Sequence, residues 1–143
     1  MFMGEYNHSI DTKGRVTVPV KFREQLGESF IVTKGLDGCL WVFASAQWEE
    51  FSGKLRQLPV ANKDARKFSR FFLAGASEAE TDKMGRILIP QVLRDYAKLE
   101  KDVTLVGTGN RVEIWDKALW ESCSTFEDMD EIAEHMGEWG FGI

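Results

Sequence analysis

"DTKGRVTVP" at residues 11–19 comes back, 71 residues later, as "DKMGRILIP" at residues 82–90. In each copy an Asp and an Arg stand four apart around a Gly-containing turn, and an alternating β-branched run then leads into a proline. The correspondence extends outward from there. At the same offset Gly4, Asp11, Gly14, Arg15, Pro19 and Arg23 fall on Gly75, Asp82, Gly85, Arg86, Pro90 and Arg94, while Val16, Val18 and Phe22 fall on Ile87, Ile89 and Leu93. One extra residue near a loop, where insertion costs little, shifts the offset to 72, at which Gly35, Phe43 and Trp48 meet Gly107, Trp115 and Trp120. Two copies of about 45 to 50 residues are too few to stack as a solenoid. A chain of 143 residues is the length of one ordinary domain, so the copies must share a core, and the expected arrangement is a pseudo-twofold pair.

Local signals repeat with the sequence. "VTV" and "ILI" predict short strands entered from a hairpin turn, and Pro19 and Pro90 suit the first position of a helix, where a missing N–H has no partner to lose. The helix "VKFREQLG" should end at Gly27. Two further strands follow in each copy: "SFIVTKG" and "CLWVFA" joined by "LDG", then "DVTLVG" and "VEIWD" joined by "TGN". Longer helices are expected from about Ala46 to Leu58 and from about Lys117 to Met136, with Ser45 and Asp116 as N-caps. Between the copies Asn62 caps a connecting helix whose Ala65, Phe68, Phe71 and Phe72 recur at helical spacing. Short strands without the long spacing of parallel βαβ units give an α+β class with mostly antiparallel pairing. The expected organisation is a first repeat at 1–50, connecting helices at 51–74, a second repeat at 75–120 and an acidic helix or tail at 121–143.

Composition bounds the function. With 43% hydrophobic and 29% charged residues and no apolar run near the ~18 residues that span a bilayer, the chain reads as a globular protein outside the membrane. "MFMGEYNHSI" has neither the basic nor the apolar region of a secretory signal, so the cytoplasm is expected. Cys39 and Cys123 belong to no CxxC pair, and His8 and His135 have no ligand cluster, so neither a metal nor a cofactor is expected. "GTGN" at 107–110 lacks the third glycine of a dinucleotide loop, and no nucleophile and base stand at a known catalytic spacing. A net charge of −5 disfavours nucleic acid until its distribution is considered. Seven of the 23 acids lie between Glu121 and Glu138, a segment with no Lys or Arg; without them 16 acids stand against 18 bases. Lys54 to Arg70 alone holds six bases and one acid, Asp64, and can face either phosphates or the acidic tail of its own or a neighbouring chain.

The Asp-x-x-x-Arg turn has two readings. In one, Asp11 and Arg15 form an ion pair across a hairpin, with Gly14 and Gly85 supplying a positive φ, and no ligand is needed. In the other, the turn presents Lys13 beside Arg15, and Lys83 near Arg86, to an anionic surface. Lys21, Arg23 and Arg94, on the short helices, either flank that surface or form a solvated helix face. Trp41, Trp48, Trp115 and Trp120 read as core or subunit-contact residues rather than base-stacking platforms.

Taken together, "MFMGEYNHSIDTKGRVTVPVKFREQLG", "RFFLAGASEAETDKMGRILIPQVLRDYAKLEKDVTLVG" and "NRVEIWDKALW" closely resemble the MraZ family of bacterial transcription regulators, over residues 1 to about 120. The resemblance implies two tandem SpoVT-AbrB units folded as swapped hairpins, the two halves of one chain acting as the protomers of an AbrB-type dimer. It further implies ring-shaped homo-oligomers, nucleoid association, and repression through repeated boxes in the promoter of the division and cell-wall gene cluster. Carried onto this sequence, the signature residues are Asp11, Lys13, Gly14 and Arg15, then Asp82, Lys83, Gly85 and Arg86. Met84 departs from the pattern by standing where the first copy has Lys13. Two other classes remain open: an assembly or adaptor protein whose Asp–Arg turns are purely structural, and an AbrB-type antitoxin whose tail, with Phe126, Met129, Ile132 and Met136, binds a partner.

Overall fold

Strands β2 (Arg15–Thr17) and β6 (Arg86–Leu88) carry the "VTV" and "ILI" runs, and in the computed structural model, which describes residues 1–142, they pair with each other. The ladder is antiparallel and sets Val16 opposite Ile87, residues that are equivalent at the offset of 71. Val18 N–H donating to Gly85 O (2.9 Å) and Ile89 N–H donating to Gly14 O (2.9 Å) extend the contact to both turns. Neither signature turn therefore closes a hairpin within its own copy, as its sequence had suggested. The strand before the first turn, β1 (Phe2–Ser9), forms no ladder with β2; the pairing across that turn is the single bridge from Ile10, one residue past β1, to Val16. Local sequence specifies the turn, but the strand's partner lies in the other half.

The remaining strands are β3 (Phe30–Lys34), β4 (Leu40–Ala44), β5 (Ser77–Ala79), β7 (Asp102–Gly109) and β8 (Val112–Asp116). They form with β1 one antiparallel sheet in the order β1-β7-β8-β4-β3-β5. Each half lends its first strand to the other, β1 to β7 and β5 to β3. At the centre β4 pairs β8 with Trp41 opposite Glu113, again equivalent positions, now at the offset of 72. The pseudo-twofold axis thus passes through Val16–Ile87 in the two-stranded ribbon and through Trp41–Glu113 in the sheet. This is an α+β fold of two swapped units within one chain.

Helices cover both faces of the sheet. With α1 (Val20–Leu26) and α4 (Gln91–Ala97), the ribbon closes one face over a core drawn from both halves, including Val16, Phe22, Phe30, Ile87, Leu93 and Leu105. On the opposite face α2 (Ser45–Arg56), α3 (Lys63–Gly75) and α5 (Lys117–Cys123) bury an aromatic cluster around Trp41, Phe43, Phe72 and Trp115. All five β4 residues are buried because that central strand is covered on both faces. Trp48 and Trp120 pack against the aromatic cluster as half-buried residues.

Several local expectations shift by a residue or break. Pro19 and Pro90 sit just outside their helices, at ψ 142° and 147°, so each presets the approach to the helix rather than its first turn. Ser45 is the first residue of α2 and not its cap; its hydroxyl donates to Ser29 O (3.1 Å) while Ala44 holds the cap position in extended backbone. Asn62 and Asp116 cap as their chemistry predicts, accepting from Ala65 N (2.9 Å) and Leu119 N (3.0 Å). The long helix expected over 117–136 is two, α5 and α6 (Met129–Met136), separated at Ser124–Asp128. Ser, Thr and Asp there favour caps and turns over a helix interior. Among the described residues no helix is long and apolar enough to cross a membrane.

Candidate nucleic-acid interface

Each signature turn is built around its own aspartate. Asp11 Oδ1 accepts from Lys13 N (3.0 Å) and Arg15 N (2.8 Å), while Oδ2 accepts from Arg15 Nε (2.7 Å). Asp82 repeats the set with Met84 N (2.9 Å), Arg86 N (2.9 Å) and Arg86 Nε (2.9 Å). These donors hold the Asp11 carboxyl down at about 2, chiefly the Arg15 backbone N–H, with the Arg15 guanidinium and the Lys13 N–H adding to it and partial desolvation opposing. The Asp82 carboxyl is lowered for the same reasons, led by the Arg86 backbone N–H. Both aspartates are therefore ionised at neutral pH and fix the arginine beside them. The ion-pair reading of the turns is realised in both copies. It occupies only the Nε edge of each guanidinium.

The ribbon decides where the arginines face. Val16 and Ile87 are 0% and 1% exposed and point into the core, so the period-2 pleat turns Arg15, Thr17, Arg86 and Leu88 outward together. Arg15 opposes Leu88 and Arg86 opposes Thr17, which makes the two arginines diagonal neighbours, a spacing of roughly 7–8 Å between residues that long side chains can bridge. Lys13 and Lys83 are exposed on the turns at either end of the ribbon. Lys21 is exposed at the start of α1, three residues past Val18, whose N–H bonds Gly85 O of the second turn. Thr17, Leu88 and Met84 complete this face; Leu88 is 60% and Met84 69% exposed. Sequence reading passed over Thr17 and Leu88, although alternation about the buried Val16 and Ile87 marks them as neighbours of the arginines.

Arg23 and Arg94 do other work. Gly14 has φ +89° and Gly85 φ +75°, and a Cβ on either would collide with an arginine of the opposite half, Arg94 at Gly14 and Arg23 at Gly85. Arg94 Nε also donates to Ile89 O (2.9 Å). Both arginines are half-buried struts laid across the partner turn, not members of a solvated helix face. Glycine is required at these turns by the backbone and by the close approach of the arginine together.

The rest of the molecule offers little chemistry of another kind. Among the described residues no group of His, Cys, Asp and Glu could hold a metal ion. Burial pushes the Cys39 thiol up to about 12, with the Glu113 and Asp37 charges adding to it, so it stays neutral. Cys123 is exposed and unpaired.

Comparison with known proteins places the chain in a family. The family model of the MraZ protein, described as antitoxin-like, matches twice, at residues 1–71 and 72–136. A transcriptional regulator MraZ of Acetivibrio thermocellus is 58% identical over 98% of this chain and 99% of its own length. That of Caldanaerobacter subterraneus is 57% identical, over 95% and 96% respectively, and that of Thermoanaerobacter sp. 56%, over 96% and 98%. The doubled match falls on the two interlocked halves, and the relatives are aligned through both signature turns and most of the tail, so the chain belongs to the MraZ family, whose named members are transcriptional regulators and not enzymes.

Proposed function

We propose that this protein is a sequence-specific DNA-binding regulator that represses transcription by laying the β2–β6 ribbon and its two turns on double-stranded promoter DNA. The observation that supports this most is the outward placement of Arg15 and Arg86 on one ribbon, each oriented by its own aspartate. The major groove of B-DNA admits a two-stranded ribbon, and an arginine fork can bond guanine O6 and N7 together. Arg15 and Arg86 read bases, and Lys13 and Lys83 contact phosphates, with Lys21 at the margin. Arg23 and Arg94 act indirectly by bracing the opposite turn. Met84 in place of a second lysine gives the second turn one cation fewer, so the two ends of the ribbon bind unequally.

So few cations neutralise few phosphates, and a single subunit binds weakly and with strong salt dependence. Association into a ring raises avidity by ~10² or more when the spacing of repeated boxes matches that of the subunits. By the family resemblance those boxes lie upstream of the division and cell-wall genes, and the protein works in the cytoplasm at the nucleoid without cofactor or small-molecule substrate. Fluorescence anisotropy of a duplex from upstream of its own gene, against a scrambled duplex at two salt concentrations, tests this. Tight, salt-sensitive binding to the first alone is expected; equal or absent binding to both overturns it. The second reading, an assembly protein with purely structural turns, draws on the Asp11–Arg15 and Asp82–Arg86 pairs themselves, and would show that second result.

A further inference from the structure

Between α2 and α3 the helical face of the molecule leaves an open groove of about 260 Å³. Its floor is apolar, including Leu58, Val60 and Leu73, of which Val60 is 79% and Leu73 41% exposed. Its rim carries Arg56, Arg66 and Arg70, and among the described residues none of these has a carboxylate within salt-bridge reach. The surrounding segment Lys54–Arg70 holds six bases and one acid. Single-sign charge around an exposed apolar floor is not a device for solubility alone.

The acidic tail has the opposite character. In α6 Met129, Ile132 and Met136 fall at helical spacing on one side, while Asp130, Glu131 and Glu134 lie elsewhere around the helix. Phe126 is 59%, Met129 42% and Trp139 82% exposed, and of the α6 residues only Ile132 is even partly covered. From Glu121 to Glu138 there is no Lys or Arg. Among the described residues, an amphipathic helix exposed at nearly every position and an open groove of opposite charge stand in the same chain, neither covered by the other.

We propose that α6 of one copy docks in the α2–α3 groove of a second copy, Met129, Ile132 and Met136 on the apolar floor and the acidic residues against Arg56, Arg66 and Arg70. Helix-in-groove docking uses anchors at this spacing. Because tail and groove are different surfaces, the contact is head-to-tail: each copy gives one tail and receives another, so the assembly grows until a rotation closes it as a ring. The inference rests on the self-association proposed above and is independent of DNA binding.

The test is charge exchange in the full-length protein, read by sedimentation velocity. Arg56→Glu with Arg70→Glu, both at exposed positions, should lower the assembled mass or raise the concentration needed for assembly about tenfold or more, since like charges then face each other. Glu131→Lys with Glu134→Lys should do the same, and the four changes together should restore assembly. Separately, Val60→Cys and Trp139→Cys chains, both carrying Cys123→Ser, should form a disulfide-linked heterodimer when mixed. Unchanged mass in both charge variants, or no rescue in the quadruple variant, overturns the proposal. So does a disulfide that forms only within a chain carrying both cysteines, which would seat the tail on its own groove. Loss of DNA affinity in Arg56→Glu/Arg70→Glu with mass unchanged also overturns it, by making the groove a phosphate contact. A wild-type chain that stays monomeric at every concentration removes the self-association reading with it. A normal charge rescue in a protein that ignores DNA leaves the docking standing and removes the DNA reading.

Discussion

In the proposed DNA complex one guanidinium, that of Arg15, has to satisfy both an aspartate and the nucleic acid. Asp11 takes Nε at 2.7 Å, and the Arg15 side chain remains 32% exposed. Replacing Arg15 by Ala should lower affinity for the specific duplex by roughly 1–3 kcal/mol, or about 5- to 150-fold, while thermal stability and oligomer mass hold. Arg15→Lys keeps the charge but not the fork, so in the same anisotropy titration the salt dependence should persist while discrimination against the scrambled duplex falls. A lower melting temperature with affinity for the duplex unchanged would instead make the turn structural. Asp11 predicts a pH dependence. Its folded pKa of about 2 lies below the ordinary 3.8, so its contribution to stability is complete above about pH 4 and is lost as pH falls toward 2. Thermal melts of the wild type and Asp11→Asn should differ most at pH 6 and converge by about pH 2; for Asp82→Asn the difference should narrow in the same direction as pH falls.

At the scale of elements, the sequence located β2, β3, β4, β6, β7 and β8 but set no bounds for β1 or β5, joined α5 to α6, and named the wrong neighbours for some strands. The alternation in "VTV" and "ILI" shows which residues are buried, and "LDG" and "TGN" specify local turns that do join β3 to β4 and β7 to β8. Nothing local says that β1 pairs with β7, because strand pairing is chosen by the core and not by propensity. The candidate site was legible for a related reason: Asp, Gly and Arg at fixed spacing are dictated by the turn itself, whereas Thr17 and Leu88 join the face only through the ribbon. The junction of β4 and β8 holds a second feature that no motif announced. Glu113 accepts from Trp41 Nε1 (3.1 Å) and Trp115 Nε1 (3.0 Å), and Arg111 stacks on Trp41 at 4.0 Å from the ring centre. Glu113→Ala leaves two indole N–H groups of the aromatic core without an acceptor, each costing about 1–3 kcal/mol. Urea unfolding should show that loss, and Glu113→Gln, which keeps a carbonyl acceptor, should recover part of it; an unchanged midpoint in Glu113→Ala would mean that water serves both indoles.

Over the whole molecule, the offset of 71 or 72 residues becomes an axis, and the axis explains why the halves differ where they do. In a symmetric dimer each residue on the axis would face its own copy. Here Val16 meets Ile87, an apolar pair that identical residues could replace, but Trp41 meets Glu113, which they could not. Two first halves brought together would set Trp41 against Trp41 with no carboxylate for either indole, and would lack the eight-residue β7 that β1 pairs along its full length. With both halves in one chain, the two sides of the axis can be complementary rather than identical. The fragment 1–75, cut between α3 and β5, should therefore show no cooperative thermal transition by circular dichroism when expressed alone. Mixed with 76–143 it should regain the transition as a one-to-one complex, since every cross-half ladder then has its partner. A cooperative, monomeric melt of 1–75 by itself would show that its own β3–β4 hairpin and helices suffice as a core, and that the exchange of strands ornaments two independent domains. The buried residues argue against that outcome: the core beneath the ribbon takes Val16, Val18 and Phe22 from one half and Ile87, Ile89 and Leu93 from the other, so either half alone would expose the surface that it now hides in its partner.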